Sequence, residues 1–156
     1  MNTTYTAHST FVIERTLPAS RARVFSAWAE AEKKRRWFAC HDDWRQVQYT
    51  LDFRLNGVEV NTVERPDGVK HFFEGRYLNI VLNDRIVYAY TLYVGPVLIS
   101  VSLVTVEFTP APTAADKTLM TFTEQVAFLD SNANVEERRE GTAIGLDRIA
   151  DILALD

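Results

Sequence analysis

Cysteine is nearly absent from this chain. Cys40 is the single one in 156 residues, so no internal disulfide can form and a reducing, cytoplasmic location is expected. A basic excess is absent too. Lysine and arginine number 17 against 21 aspartates and glutamates, a formal net charge of -4. Phosphate backbones call for a net basic face, so nucleic-acid binding is not expected. No apolar run approaches the roughly 20 residues that cross a bilayer. The longest such segment, 88–106, is broken by Gly95-Pro96 and interleaved with serine and threonine. Met1 to Thr10 lacks a basic start followed by an apolar stretch, so neither a signal peptide nor membrane insertion is expected. A glycine-rich phosphate loop, a Gly-x-Ser-x-Gly elbow and a dinucleotide fingerprint are all missing. No cofactor is expected.

What is present is apolar and aromatic. Nearly half the residues are hydrophobic, with nine Phe, six Tyr and three Trp. That suffices for one well-buried core, and the length suits a single domain over 1–156. No repeat, linker or low-complexity segment interrupts it.

Periodicity divides the chain into three stretches. Ser9 to Thr16 alternates as a strand does, and Pro18 ends it. Ser20 stands where a helix N-cap belongs, its hydroxyl able to accept from a free backbone N–H. Val24, Phe25 and Trp28 follow at helical spacing, and a second short helix is predicted over Glu30 to Phe38. From Trp44 the period becomes two. Val47, Tyr49, Leu51, Phe53 and Leu55 alternate with polar residues, up to a hairpin signal at Asn56-Gly57. Further strands are predicted over 58–65, 69–80, 85–93, 97–108 and 117–129, with the two-proline stretch 109–116 as a longer loop. Helical period returns after Asn134, which with Glu137 makes an N-terminal cap pair. Gly141, Gly145, Ile149, Ile152 and Leu153 share one face of that last helix. Helices set apart from a run of hairpins imply an α+β fold with an antiparallel sheet.

Several motifs together resemble a known family. Ile13-Glu14-Arg15-Thr16-Leu17-Pro18-Ala19-Ser20-Arg21-Ala22-Arg23-Val24-Phe25 is similar to the opening of the START/Bet v 1-like (SRPBCC) superfamily, in its activator of Hsp90 ATPase branch. Trp37-Phe38, Asp52-Phe53-Arg54-Leu55-Asn56-Gly57, Phe73-Glu74-Gly75-Arg76-Tyr77, Arg85-Ile86-Val87-Tyr88 and Val104-Thr105-Val106-Glu107-Phe108 follow in the family's order. Asn56-Gly57 replaces the usual Gly-Gly, and Gly145-Leu146 stands where Gly-Trp is common. The resemblance implies a helix-grip fold: a curved antiparallel sheet of about seven strands around a long C-terminal helix, with two short helices after strand one. It implies a binding domain for a small apolar or aromatic molecule. A cyclase- or hydrolase-type enzyme on the same pocket and a chaperone-associated interaction domain are the alternatives. A homodimer is left open.

Such a fold leaves a pocket between sheet and helix. Met120, Phe122, Glu124, Val126 and Phe128 share the apolar face of the last strand, so Glu124 should point inward. A carboxylate there needs a partner. It could anchor a ligand, act as a general acid or base, or belong to a structural ion pair. Phe73 and Tyr77 on one strand, Tyr88 and Tyr90 on the next, and Ser102 on a third offer rings and hydroxyls to the same space. Trp37 and Phe38 should close one end. Gly141 and Gly145 should either widen a groove or let the helix approach the sheet closely. The expected ligand-binding set is thus Trp37, Phe38, Phe73, Tyr77, Tyr88, Tyr90, Ser102, Phe122, Glu124, Gly141 and Gly145, with Glu124 the catalytic candidate. Cys40-His41-Asp42-Asp43 has metal-like residues, but His8 and His71 lack ligand spacing to it, and no metal site is expected. Lys33-Lys34-Arg35-Arg36 reads as a solvated helix face.

Overall fold

The computed structural model describes residues 4–38 and 41–155. Cys40 lies outside them. Seven strands form one sheet in the order β1-β7-β6-β5-β4-β3-β2, every neighbouring pair antiparallel. They are β1 (Ala7–Leu17), β2 (Arg45–Leu51), β3 (Val58–Glu64), β4 (Lys70–Val81), β5 (Arg85–Val94), β6 (Val97–Ala111) and β7 (Ala114–Phe128). Helices α1 (Arg21–Ala29) and α2 (Ala31–Trp37) follow β1, and α3 (Val135–Leu155) ends the chain. This is the helix-grip α+β arrangement.

The local signals explain the elements. Ser20 Oγ accepts from the Arg23 N–H at 3.3 Å, satisfying one donor that a helix start leaves free. α1 then buries Val24, Phe25, Ala27 and Trp28. Trp28 packs on Phe122 and Phe108 of the sheet, and its indole N–H donates to Met120 Sδ. Asn134 Oδ1 accepts from the N–H groups of Glu136 and Glu137. α3 buries Gly145, Leu146, Ile149, Ile152 and Leu153.

Two boundaries differ from expectation. β2 stops at Leu51 rather than running to Leu55. Residues 52–57 instead form a wider loop bonded to β4 through Asn56 N–H to Tyr77 O and Tyr77 N–H to Gly57 O. Phe53 thereby turns inward onto Tyr77 and Phe25. Asn56 has positive φ and Gly57 does not. Gly57 is needed for close approach, since a Cβ there would sit 2.0 Å from the Asp52 carbonyl oxygen. The second difference is at 109–116, where β6 continues to Ala111 and β7 begins at Ala114. Pro110 lies past Glu107, the last residue that β5 pairs, at a strand edge where proline is tolerated.

Candidate functional site

A cavity of about 810 Å³ lies between the sheet, α2 and α3. Its walls are largely aromatic. Trp37 and Phe38 close the α2 end, Phe73 and Tyr90 stand on the sheet, and Phe122 lies beside Trp28. The Phe73 and Tyr90 rings are 4.6 Å apart, and Phe38 meets Phe73 edge-on at 4.9 Å. Tyr88, Glu124, Gly141 and Gly145 also border the space. Nine of the eleven residues expected from the sequence are thus brought together. The remaining two sit behind the wall. Tyr77 turns toward Glu59, and Ser102 stands behind Glu124.

The two glycines of α3 do different things. A Cβ on Gly141 would meet nothing within 4 Å, so this position opens the cavity. A Cβ on Gly145 would lie 3.1 Å from the Trp37 carbonyl oxygen. Gly145 therefore lets α3 approach α2, rather than the sheet.

Glu124 occupies the floor, fully buried. Its Oε2 accepts from Tyr90 Oη at 2.6 Å, Ser102 Oγ at 2.7 Å and Arg138 Nη1 at 3.1 Å. Strand register places the first two: Tyr90 faces Ser102 across β5 and β6. Burial, with the Glu124 charge behind it, raises the Tyr90 hydroxyl pKa well above that of a free tyrosine. Arg138 also donates to Ser100 Oγ at 2.8 Å and Tyr90 Oη at 3.0 Å, and its guanidinium stands 5.3 Å from the Phe128 ring centroid. Glu124 Oε1 is buried and accepts from no group among the described residues.

The sequence reading missed Arg138, because Glu136-Glu137-Arg138-Arg139-Glu140 looks like solvated surface. The signal was its phase: Arg138 stands one turn before Gly141 and two before Gly145, on the face continued by Ile149 and Ile152.

A second polar cluster was missed entirely. Lys34, expected on a solvated face, is fully buried. Its ammonium meets Glu59 Oε1 at 2.9 Å and donates to Tyr77 Oη at 3.3 Å. Glu59 accepts further from Tyr77 Oη at 2.8 Å and Tyr49 Oη at 2.6 Å. Rings surround the ammonium, Phe38 at 4.4 Å, Trp28 at 5.1 Å and Tyr88 at 5.5 Å, and such contacts stabilise a desolvated cation. Burial lowers the Lys34 pKa while Glu59 opposes the shift. Arg35 and Arg36 do stay outside, Arg35 paired to Glu32 and Arg36 donating to the Glu32 carbonyl, while Lys33 is half-buried and donates to Ser26 Oγ.

At the rim, the His71 ring meets Trp44 at 4.7 Å and Trp44 meets His41 at 4.2 Å, both pairs tilted by more than 50°. His71 Nε2 is buried without a hydrogen-bond partner among the described residues. Burial, then the charges of Arg65 and His41, lower the His71 pKa. Among the described residues, no group of three or more His, Cys, Asp or Glu side chains could hold a metal ion. No helix there is long and apolar enough to cross a membrane.

Comparison with known proteins gives a consistent result. The family model described as activator of Hsp90 ATPase homolog 1-like protein matches residues 18–154. No curated protein matches the sequence. Among solved structures, an uncharacterised protein of Rhizobium leguminosarum is 47% identical, with TM-score 0.90, covering 97% of this chain and 98% of that one. The Mll3558 protein of Rhizobium loti is 38% identical, with TM-score 0.85, covering 95% and 99%. An AHSA1-like protein of Aeromonas hydrophila shares the fold at 18% identity and TM-score 0.68, covering 94% and 93%.

Proposed function

The chain belongs to the activator of Hsp90 ATPase homolog 1-like family, within the START/Bet v 1-like superfamily, and on that premise we propose that it is a cytoplasmic binding module for a small apolar or aromatic molecule. The observation that carries this reading is the cavity of about 810 Å³. Small-molecule sites typically occupy roughly 300–1,000 Å³ and combine apolar walls with a few placed polar groups. Here the Phe73, Tyr90, Phe38 and Trp37 rings supply apolar wall, Glu124 and Arg138 are the hydrogen-bonded buried pair, and more exposed charged side chains, among them Arg65, Glu137 and Arg148, also line the space.

The test is direct. Native mass spectrometry of the purified protein should reveal a retained small molecule, or an environment-sensitive dye should bind and be displaced by aromatic ligands. A ligand at 100 times its dissociation constant should stabilise the fold by about 2.7 kcal/mol. Absence of retained molecule, dye binding and stabilisation together would overturn the reading.

An enzyme on the same pocket is the second reading, and the unpartnered Glu124 Oε1 favours it, since a general base needs a free oxygen. Tyr90 fits a proton-donor role poorly: its hydroxyl already donates to Glu124, and burial raises its pKa. A binder returns its ligand unchanged, whereas an enzyme converts it, so mass analysis after incubation separates the two.

A further inference from the structure

The two oxygens of the Glu124 carboxylate have unequal surroundings. Oε2 receives Tyr90, Ser102 and Arg138. Oε1 receives nothing from the described residues, although it is buried and Glu124 borders the cavity. A buried acceptor left without a donor is costly, and native proteins rarely keep one without a reason. Opposite the Arg138 guanidinium the group is a carboxylate, which can only accept. A buried acceptor of this kind calls for a donor. Its charge is already balanced: an ammonium ligand would add a charge to a neutral pair, and a carboxylate ligand would set like charge against Oε1. The Phe73 and Tyr90 rings, tilted at 31° with centroids 4.6 Å apart, form one aromatic wall of the cavity, and Tyr90 itself holds Oε2 at 2.6 Å.

We propose that the cavity selects neutral apolar or aromatic molecules bearing an O–H or N–H donor, and that Glu124 Oε1 receives that donor. This rests on the reading of the cavity as a ligand pocket.

Four probes of similar shape test it: 2-naphthol, 2-methoxynaphthalene, 2-naphthoate and 2-naphthylmethylamine, titrated calorimetrically against the protein at pH 7. 2-Naphthol should bind tighter than the methyl ether by about tenfold or more, the range expected of a hydrogen bond to a charged group. 2-Naphthoate should bind weakest. In Glu124→Gln, the three donors aimed at Oε2 keep the amide oxygen there, so the amide N–H₂ takes the Oε1 place. The acceptor becomes a donor, and the preference for naphthol over its ether should collapse toward unity.

Equal affinities for naphthol and ether in the unsubstituted protein would overturn the proposal while leaving the pocket reading intact. So would an unchanged ratio in Glu124→Gln, or 2-naphthylmethylamine binding tighter than naphthol. No binding of any probe would overturn this proposal, and joined to the absence of a retained molecule and of dye binding it would overturn the pocket reading as well. The ratio in the unsubstituted protein decides the matter even where the variant fails to fold.

Discussion

Two buried carboxylates stand on the inner side of the same sheet, and each takes a cation from a helix and hydroxyls from strands one or two places away. Glu59 takes Lys34, Tyr49 and Tyr77, which satisfy both of its oxygens. Glu124 takes Arg138, Tyr90 and Ser102, all on one oxygen, and leaves the other unpaired. The first cluster is sealed: Trp37, Phe38 and Tyr88 border the cavity and also surround Lys34. The second borders the cavity itself. The same residue chemistry thus makes a structural joint in one place and an incomplete site in the other. What separates them is the count of donors against acceptors, since a buried polar network is stabilising only when every member is satisfied.

The largest expected effect falls mainly on the sealed side. Tyr77 and Tyr88, with Tyr49 and Tyr90, have hydroxyl pKa values raised by burial first, then by Glu59 at Tyr49 and Tyr77, by Glu124 at Tyr90, and by Tyr90 ahead of the carboxylates at Tyr88. In the unfolded chain a tyrosine ionises near 10.0. Above that pH the folded state holds protons that the unfolded state has released. Their contribution is therefore fully present below pH 10 and is lost as pH rises. Each tyrosine removes up to about 1.4 kcal/mol per pH unit once the unfolded hydroxyl is fully ionised, on the order of 4 kcal/mol for the four between pH 10 and 11. Lys34 shifts the other way, and its opposing effect ends near pH 10.5, where the unfolded lysine also loses its proton. Urea unfolding against pH, with tyrosinate absorbance as the marker of ionisation, should show a steep alkaline loss. A flat profile to pH 11 would mean that the four hydroxyls are hydrated.

Charge removal should separate the clusters at neutral pH. Lys34→Met leaves Glu59 buried without its cation and should cost about 3–5 kcal/mol. Glu124→Gln leaves Arg138, whose side chain is 12% exposed and which still donates to Ser100 and Tyr90. That loss should be smaller, about 1–3 kcal/mol. Equal losses in chemical denaturation would erase the distinction between joint and site.

Much of the fold was legible because strand alternation and helix caps are local signals. Strand parity alone turned Glu124 inward, and Ser20 announced α1. Lys34 and Glu59 were not legible, for a physical reason. A lysine in Lys-Lys-Arg-Arg is read as surface unless its distant partner is known, and Glu59 is 25 residues away. β3 also inverts the usual pattern: Glu59, Asn61 and Val63 are buried, while Val58 and Val60 are only half-buried. Val58 and Val60 thus lie on the less buried face, while the inner face carries Glu59 and Asn61 beside Val63. The extended β6–β7 hairpin was hidden by its prolines, which mark a strand edge and a tight turn instead of a loop.

The helix glycines give an effect of opposite sign at two positions one turn apart. Gly141→Ala adds a methyl to open space and gains helix propensity, so stability should rise by up to about 1 kcal/mol. Gly145→Ala gains the same propensity but presses on the Trp37 backbone at 3.1 Å. Overpacking of roughly 1–3 kcal/mol should outweigh the gain and leave a net loss. Thermal unfolding of the two variants should move apart. Two rises would mean that α2 and α3 can separate freely, and that the cavity end near Trp37 is soft.

The smallest expected effect lies at the rim, on the acid side. Burial, then the charges of Arg65 and His41, put the folded His71 pKa below the ordinary 6.5. Between the folded value and 6.5 the unfolded chain binds the extra proton and the native state does not. Stability is therefore highest above pH 6.5 and declines as pH falls toward the folded pKa, below which this contribution changes no further. The ring is only half-buried, and water screens the charges that act on it, so the slope should be well under the alkaline one. His71→Phe keeps a ring against Trp44 and removes the titration. The urea midpoint of that variant should lose the slope between pH 6.5 and 5.5 while keeping the alkaline loss unchanged. If His71→Phe instead flattened the alkaline limb, the rim and the sealed cluster would be one cooperative unit rather than two regions with separate pH responses.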